Sequence, residues 1–211
     1  MVNSKIDSIF LSFSKTYTNP KTELKYKNKF TFLVAVVLSA QSTDVSVNKA
    51  TKKLFTIAKN PKEMLKLGEK NLQKYIKTIG LYNDKAKNII LLSRILINDY
   101  NCKIPKDFNN LIKLPGVGNK TASVFQNVIY KIPRIAVDTH VFRVSNRIGL
   151  VKEKTTNLTQ TKLEKIIPSK WKLKAHHYLI LHGRNICKAR NPICNKCPIF
   201  SFCEYEFKKN N

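Results

Sequence analysis

The sequence predicts an all-α protein, and three observations carry that. Glycine is scarce, at 6 of 211 residues. No alternating apolar–polar run is closed by a two-residue hairpin turn. Apolar residues instead recur at helical spacing. Ile6, Phe10 and Phe13 share one face of a first helix. Phe32, Val36, Val37 and Ala40 belong to a second, apolar nearly all round and therefore buried. Ser42-Thr43-Asp44 supplies N-caps for a third, with Val47, Ala50, Leu54 and Phe55 inward. Asn60-Pro61 opens a short fourth, since proline fits the first turn. Asn71 begins another toward Tyr75 and Ile76, and Asn83-Asp84 precedes a long amphipathic stretch through Ile89, Leu92, Ile95 and Leu96. There is no internal repeat, low-complexity tract or flexible linker. Composition shifts near Pro133 and again after Gly183.

At 43% hydrophobic and 25% charged, the chain is neither a disordered tail nor a fibrous repeat. Its charge is unusual: 39 Lys and Arg against 13 Asp and Glu leave a formal net charge of +26. Such a protein repels itself unless it sits beside a polyanion, nucleic acid first and an anionic membrane second. Compositional drift toward Lys, Ile and Asn accounts for part of the excess. The N-terminal MVNSKIDSIFLSFSKTY has no signal-type apolar core, and the longest apolar stretch, Phe30 to Ala40, is too short to cross a bilayer. The expectation is a cytoplasmic protein, in a reducing compartment where clustered cysteines bind metal rather than pair.

Three local patterns make chemical demands. The first is Leu114-Pro115-Gly116-Val117-Gly118-Asn119-Lys120, set between two helical stretches. Gly116 and Gly118 permit positive φ and close backbone approach, and the amides from Val117 to Lys120 at the next helix start make an anion site. Such a turn reads phosphate and carries no base information; a tight helix–helix turn explains the glycines equally well. Lys120 falls in the first helical turn, where the dipole disfavours a cation and so favours the neutral, nucleophilic amine. A plain phosphate-contacting lysine is the alternative.

The second pattern is Ile135-Ala136-Val137-Asp138-Thr139-His140, an apolar segment ending in a carboxylate. Asp138 caps the following helix on this reading, and as one of few acidic residues it also suits proton transfer and stabilisation of a cationic sugar. The third is Cys187-x6-Cys194-x2-Cys197-x5-Cys203, stiffened by Pro192 and Pro198. Four thiolates satisfy tetrahedral zinc or a [4Fe–4S] cluster, and a single C-x2-C with longer arms leans slightly to the cluster.

Taken together, LSAQSTDVSVNKA (Leu38 to Ala50), IGLYN (Ile79 to Asn83), LPGVG-x-KTA, AVDTH, LILHGR (Leu179 to Arg184) and the 6-2-5 cysteine spacing resemble the endonuclease III family. These are bifunctional DNA glycosylase/AP lyases of the helix-hairpin-helix base-excision superfamily. The resemblance spans nearly the whole chain. It implies two helical domains flanking a DNA-binding cleft: a six-helix barrel with the helix-hairpin-helix over residues 22–132, and an iron–sulfur cluster domain from residues 1–21 and 133–211.

By position, Lys120 is the expected nucleophile and Asp138 its carboxylate partner. Gln41 and Leu81 are the expected DNA probes, one filling the gap left by an extruded base and the other wedging the opposite strand. Gly116, Val117, Gly118 and His140 are expected DNA backbone contacts, and Cys187, Cys194, Cys197 and Cys203 the ligands of a [4Fe–4S] cluster. The implied partner is duplex DNA carrying damaged pyrimidines or abasic sites, bound by a monomer with no membrane role, nucleoid-associated in a bacterium. Asn119 departs from the basic residue many relatives carry there. A related monofunctional glycosylase, such as the adenine-specific branch lacking the lysine, a non-catalytic helix-hairpin-helix binder, and a zinc-dependent nucleic-acid binder are the competing readings.

Overall fold

The computed structural model describes residues 2–208. Among them are eleven α-helices, two one-turn 3-10 helices and no strand, so the all-α expectation holds. The chain divides into two compact units: Glu23–Tyr130, and Met1–Thr22 with Lys131–Asn211.

The Glu23–Tyr130 unit holds α2 (Lys29–Ser39), α3 (Asp44–Ile57), α4 (Pro61–Leu67), α5 (Glu69–Ile76), α6 (Tyr82–Asn98), α7 (Phe108–Ile112) and α8 (Asn119–Tyr130). Helix α2 is central and packs on α3, α6 and α8. Its run Phe30 to Leu38 is buried throughout, as an all-round apolar helix must be. A capping box starts it: Asn28 Oδ1 accepts from Thr31 N–H and Thr31 Oγ1 accepts from Asn28 N–H, both at 2.9 Å. Thr43 caps α3, its Oγ1 accepting from Ser46 N–H at 3.2 Å.

The second unit combines α1 (Val2–Thr16) with α9 (Thr139–Arg147), α10 (Thr156–Ile166) and α11 (Ser169–Asn185), followed by 3-10 turns at Cys194–Lys196 and Phe200–Phe202. Helices α1 and α9 both pack on α11. The expected face of α1 is its core face: Phe10 stacks on Trp171 with ring centroids 6.0 Å apart, and Phe13 lies 4.9 Å from the His182 ring.

Three helix boundaries differ from expectation. Ala40 is not in α2 but caps it, because the chain turns there. Helix α5 begins at Glu69, not Asn71, whose side chain instead donates to Leu67 O at 3.0 Å. Helix α6 begins at Tyr82, with Asn83-Asp84 inside its first turn and Leu81 at the N-cap in left-handed backbone, φ 57 and ψ 34. The segments α10 and α11 were not delimited from sequence.

Candidate active site and cysteine loop

The glycine turn closes on itself. Val117 N–H donates to Leu114 O at 3.0 Å and Leu114 N–H to Leu111 O at 3.1 Å, so the Val117 amide is spent within the turn rather than pointing outward. The Val117 side chain lies in the core, 5% exposed. The two glycines differ. Gly116 sits at φ +78, and a Cβ there would stand 3.0 Å from Val37 Cγ1 and 3.3 Å from Asn88 Cβ. Gly118 is outside that positive-φ region and a Cβ there meets nothing within 4 Å. Gly116 is therefore glycine for the fold, whereas Gly118 leaves open space in front of the helix start. Its carbonyl begins α8, accepting from Ala122 N–H at 2.9 Å. Amides in a first helical turn lack intrahelical acceptors and, with the helix dipole, favour an anion. Lys120 is the second residue of α8 and is exposed.

Gln41 and Leu81 share this unit and an uncommon backbone. Gln41 has φ 54 and Leu81 φ 57, the left-handed region that non-glycine side chains avoid. Both are exposed, Leu81 at 57%. A Cβ on Gly80 would stand 3.9 Å from Gln41 O, so the two turns are neighbours.

Asp138 and His140 lie in the other unit. Asp138 is the N-cap of α9, its Oδ1 accepting from His140 N–H at 2.9 Å and Val141 N–H at 2.8 Å. The buried segment Ile135–Val137 delivers it, anchored where Ile135 N–H donates to Glu164 Oε1 at 3.0 Å. His140 Nδ1 pairs with Arg143 Nη2 at 3.2 Å. Burial chiefly, with Arg143 and Arg184 adding, holds His140 below the ordinary imidazole value despite the opposing Asp138 charge. Arg143 Nη2 also donates to Gly183 O at 2.9 Å and Cys187 O at 3.0 Å, tying α9 to the end of α11 and the cysteine loop. Sequence reading missed this arginine.

All four cysteines of the loop line one small cavity, together with Ile148, His182 and Phe200. Burial and mutual thiolate repulsion push Cys197 up to about 11 and raise Cys203. A cation in their midst would reverse that repulsion. Groups around the sulfurs suit an anionic centre: Arg147 Nη1 lies 3.7 Å from Cys187 Sγ, and His182 Nε2 lies 3.6 Å from Cys197 Sγ. Burial lowers His182 to about 4, and Tyr17 Oη lies 3.3 Å from its Nδ1. Among the described residues, no three His, Cys, Asp or Glu side chains converge so as to hold a single metal ion.

Residues 34–169 match the HhH-GPD superfamily of base excision DNA repair proteins. The chain is 59% identical to endonuclease III of Rickettsia conorii over 202 residues, covering 96% of each chain. It is 51% identical to endonuclease III of Escherichia coli K12 over 190 residues, 90% of each. The chain belongs to the endonuclease III family. With the family comes the activity class, base-excision repair by a DNA glycosylase and AP lyase. A solved structure of a trapped endonuclease III–DNA covalent intermediate superposes with a TM-score of 0.90 at 41% identity, covering 96% of this chain and 95% of that one. A thermostable thymine-DNA glycosylase superposes at 0.87 with 25% identity and 96% of this chain covered. In this endonuclease III relative, among the described residues, no helix is long and apolar enough to cross a membrane.

Proposed function

We propose that the chain binds duplex DNA, extrudes a damaged pyrimidine and removes it through Lys120. The observation carrying this is the position of Lys120, exposed in the first turn of α8 two residues after Gly118, where an added Cβ would meet nothing within 4 Å. The covalent DNA intermediate trapped in a relative of the same fold supports it. On this reading Lys120 Nζ attacks C1′, the N-glycosidic bond breaks and the base departs with a proton. The C1′–O4′ bond then opens, O4′ taking a proton, and the protonated imine so formed acidifies the C2′ hydrogen. Its loss expels the 3′ phosphate by β-elimination, and water then releases Lys120. Asp138 assists as the carboxylate that takes up a proton and stabilises the cationic sugar.

Gln41 and Leu81 occupy the duplex where the base was, because extrusion leaves a hole that must be filled. Gly116 and Gly118, with the first-turn amides of α8, offer backbone N–H groups to phosphate, the Val117 amide being used inside the turn, and His140 contacts the backbone from the second unit. The helical units divide the work as a six-helix barrel and a cluster domain, acting as a monomer in the bacterial cytoplasm.

Cys187, Cys194, Cys197 and Cys203 would hold a [4Fe–4S] cluster. Four sulfurs lining one cavity supply the ligand set of a cubane, and membership of the endonuclease III family favours that cluster over zinc. When bound it supplies a cross-link that stiffens a loop bearing Lys188, Arg190 and Lys196.

Borohydride reduction of the protein with abasic duplex DNA tests the reading. A covalent adduct is expected, abolished by Lys120→Ala; undiminished trapping and nicking by that variant would overturn the assignment. A colourless protein retaining stoichiometric zinc would overturn the cluster.

A further inference from the structure

Lys85 lies on the buried face of α6, 6% exposed. Among the described residues it is the one Lys, Arg, Asp or Glu side chain that is buried. Its ammonium has three protons and three acceptors: Ala40 O at 2.5 Å, Leu38 O at 3.0 Å and Ser42 Oγ at 3.1 Å. Two of these are carbonyls at the C-terminus of α2, where a cation is favoured. Burial lowers its affinity for the proton, and this full set of acceptors opposes that loss of charge.

The acceptors frame a turn from Ser39 to Ser42. Ser42 N–H donates to Ser39 O at 3.1 Å, Ala40 has φ −57 and ψ 120, and Gln41 has φ 54. These three angles match a type II turn, which wants glycine at the third position. A type I turn, with the central peptide rotated by half a revolution, would let a glutamine relax to negative φ. The central carbonyl is that of Ala40, the atom Lys85 holds most closely. Meanwhile Lys85 N–H donates to Leu81 O at 3.0 Å, so the same residue is anchored to the second strained turn.

We propose that Lys85 is a positioning residue for DNA insertion: its ammonium locks the Ala40–Gln41 peptide in the type II orientation and thereby holds Gln41 ready beside Leu81. This rests on the reading of Gln41 and Leu81 as the groups that enter the duplex.

The test uses the full-length holoprotein. In the wild type, the Ala40 Hα to Gln41 N–H NOE is strong, as in a type II turn. In Lys85→Met it gives way to an Ala40 N–H to Gln41 N–H NOE. Single-turnover excision from a duplex with one thymine glycol falls about 10- to 100-fold in Lys85→Met, the scale expected for a misplaced group. Cleavage of a preformed abasic site in single-stranded DNA, where no stacked hole needs filling, stays within about twofold of wild type. Lys85→Arg, which keeps charge and donors, recovers most of the duplex activity. An unchanged NOE pattern with wild-type excision in Lys85→Met overturns the proposal.

Gln41→Ala and Leu81→Ala separate the two ideas. If both excise normally the insertion reading fails, whereas if both are impaired and Lys85→Met is not, Lys85 alone is refuted. Should Lys85→Met not fold, the wild-type ammonium decides. A slowly exchanging Lys85 signal with a through-hydrogen-bond coupling to the Ala40 carbonyl carbon is expected, and its absence counts against the lock.

Discussion

Placing alanine at Gly116 and, separately, at Gly118 divides the turn's structural role from its binding role. At Gly116 the new methyl meets two penalties. The backbone at φ +78 is left-handed, which costs an L-residue about 1–2 kcal/mol. The methyl also presses to 3.0 Å from Val37 Cγ1, a side chain that is 2% exposed and has nowhere to go; such overpacking costs about 1–3 kcal/mol. Together these give about 2–5 kcal/mol, a melting temperature lower by about 4–20 °C for a chain of this size. At Gly118 neither penalty applies. A modest loss at a helix N-cap is offset by reduced freedom of the unfolded chain, leaving stability within about 1 kcal/mol of wild type.

Affinity should reverse the order. The Gly118→Ala methyl would stand in the open space before the first turn of α8, between its amides and any phosphate. Losing one such contact weakens binding to an undamaged duplex by about tenfold, or about 1.4 kcal/mol. Urea unfolding reads the first effect and fluorescence anisotropy at fixed low salt reads the second. Equal destabilisation by the two substitutions, or wild-type binding by Gly118→Ala, would refute the division.

Three further outcomes follow from the geometry. Asp138→Asn keeps an oxygen for the His140 and Val141 amides, so thermal unfolding should barely move while base excision falls about 10²–10⁴-fold; Asp138→Ala should lose about 1 kcal/mol of stability as well. Burial first, then His176 and Lys131, depress His177 to about 3, so its contribution to stability is full above about pH 6.5 and is lost progressively as pH falls through the folded value. Urea melts at pH 7.5 and 5 should differ by up to about 2 kcal/mol through His177 alone, and His177→Gln should remove that share while the part due to His182, also depressed by burial, remains. Leu81→Gly relieves left-handed backbone and improves an N-cap, so the free protein should gain about 1 kcal/mol while single-turnover excision drops.

Much of the helical plan was legible because its signals are local. Thr43 and Asp138 are capping side chains next to apolar helical periodicity, and Pro61 marks a first turn, so sequence neighbours suffice. The boundaries that slipped depend on distant partners. Asn71 has the chemistry of an N-cap, yet it bonds backward to Leu67 because Gly68 already turns the chain, with φ 75. The glycines of the hairpin read alike in sequence, and only the packing of Val37 and Asn88 against one of them tells them apart.

Lys85 was hidden by abundance, one among 39 basic residues. A signal did exist. Positions 85, 89, 92 and 96 form one apolar stripe of α6, and three of them are Ile89, Leu92 and Leu96. A lysine in such a stripe must find acceptors or be destabilising. The acceptors come from the end of α2, more than forty residues earlier, and no local pattern announces them.

The left-handed residues also differ in what they cost. Asn101 and Asn191 are among them, and asparagine tolerates that region. Leucine and glutamine do not, and Leu81 in addition exposes 57% of an apolar side chain to water. Neither its conformation nor its surroundings reward that arrangement in the free protein. A residue held against both preferences must be compensated by the framework that holds it and by the state in which it works. Here the framework is visible, since α6 is anchored by Ile89, Leu92 and Leu96 in the core and its Lys85 grips the neighbouring turn. Inside a DNA stack the same side chain would be desolvated and packed, so the cost borne in the free enzyme is recovered when the duplex is opened. Strain and exposure at Leu81 thus argue for one role together, where either alone would describe an ordinary surface turn.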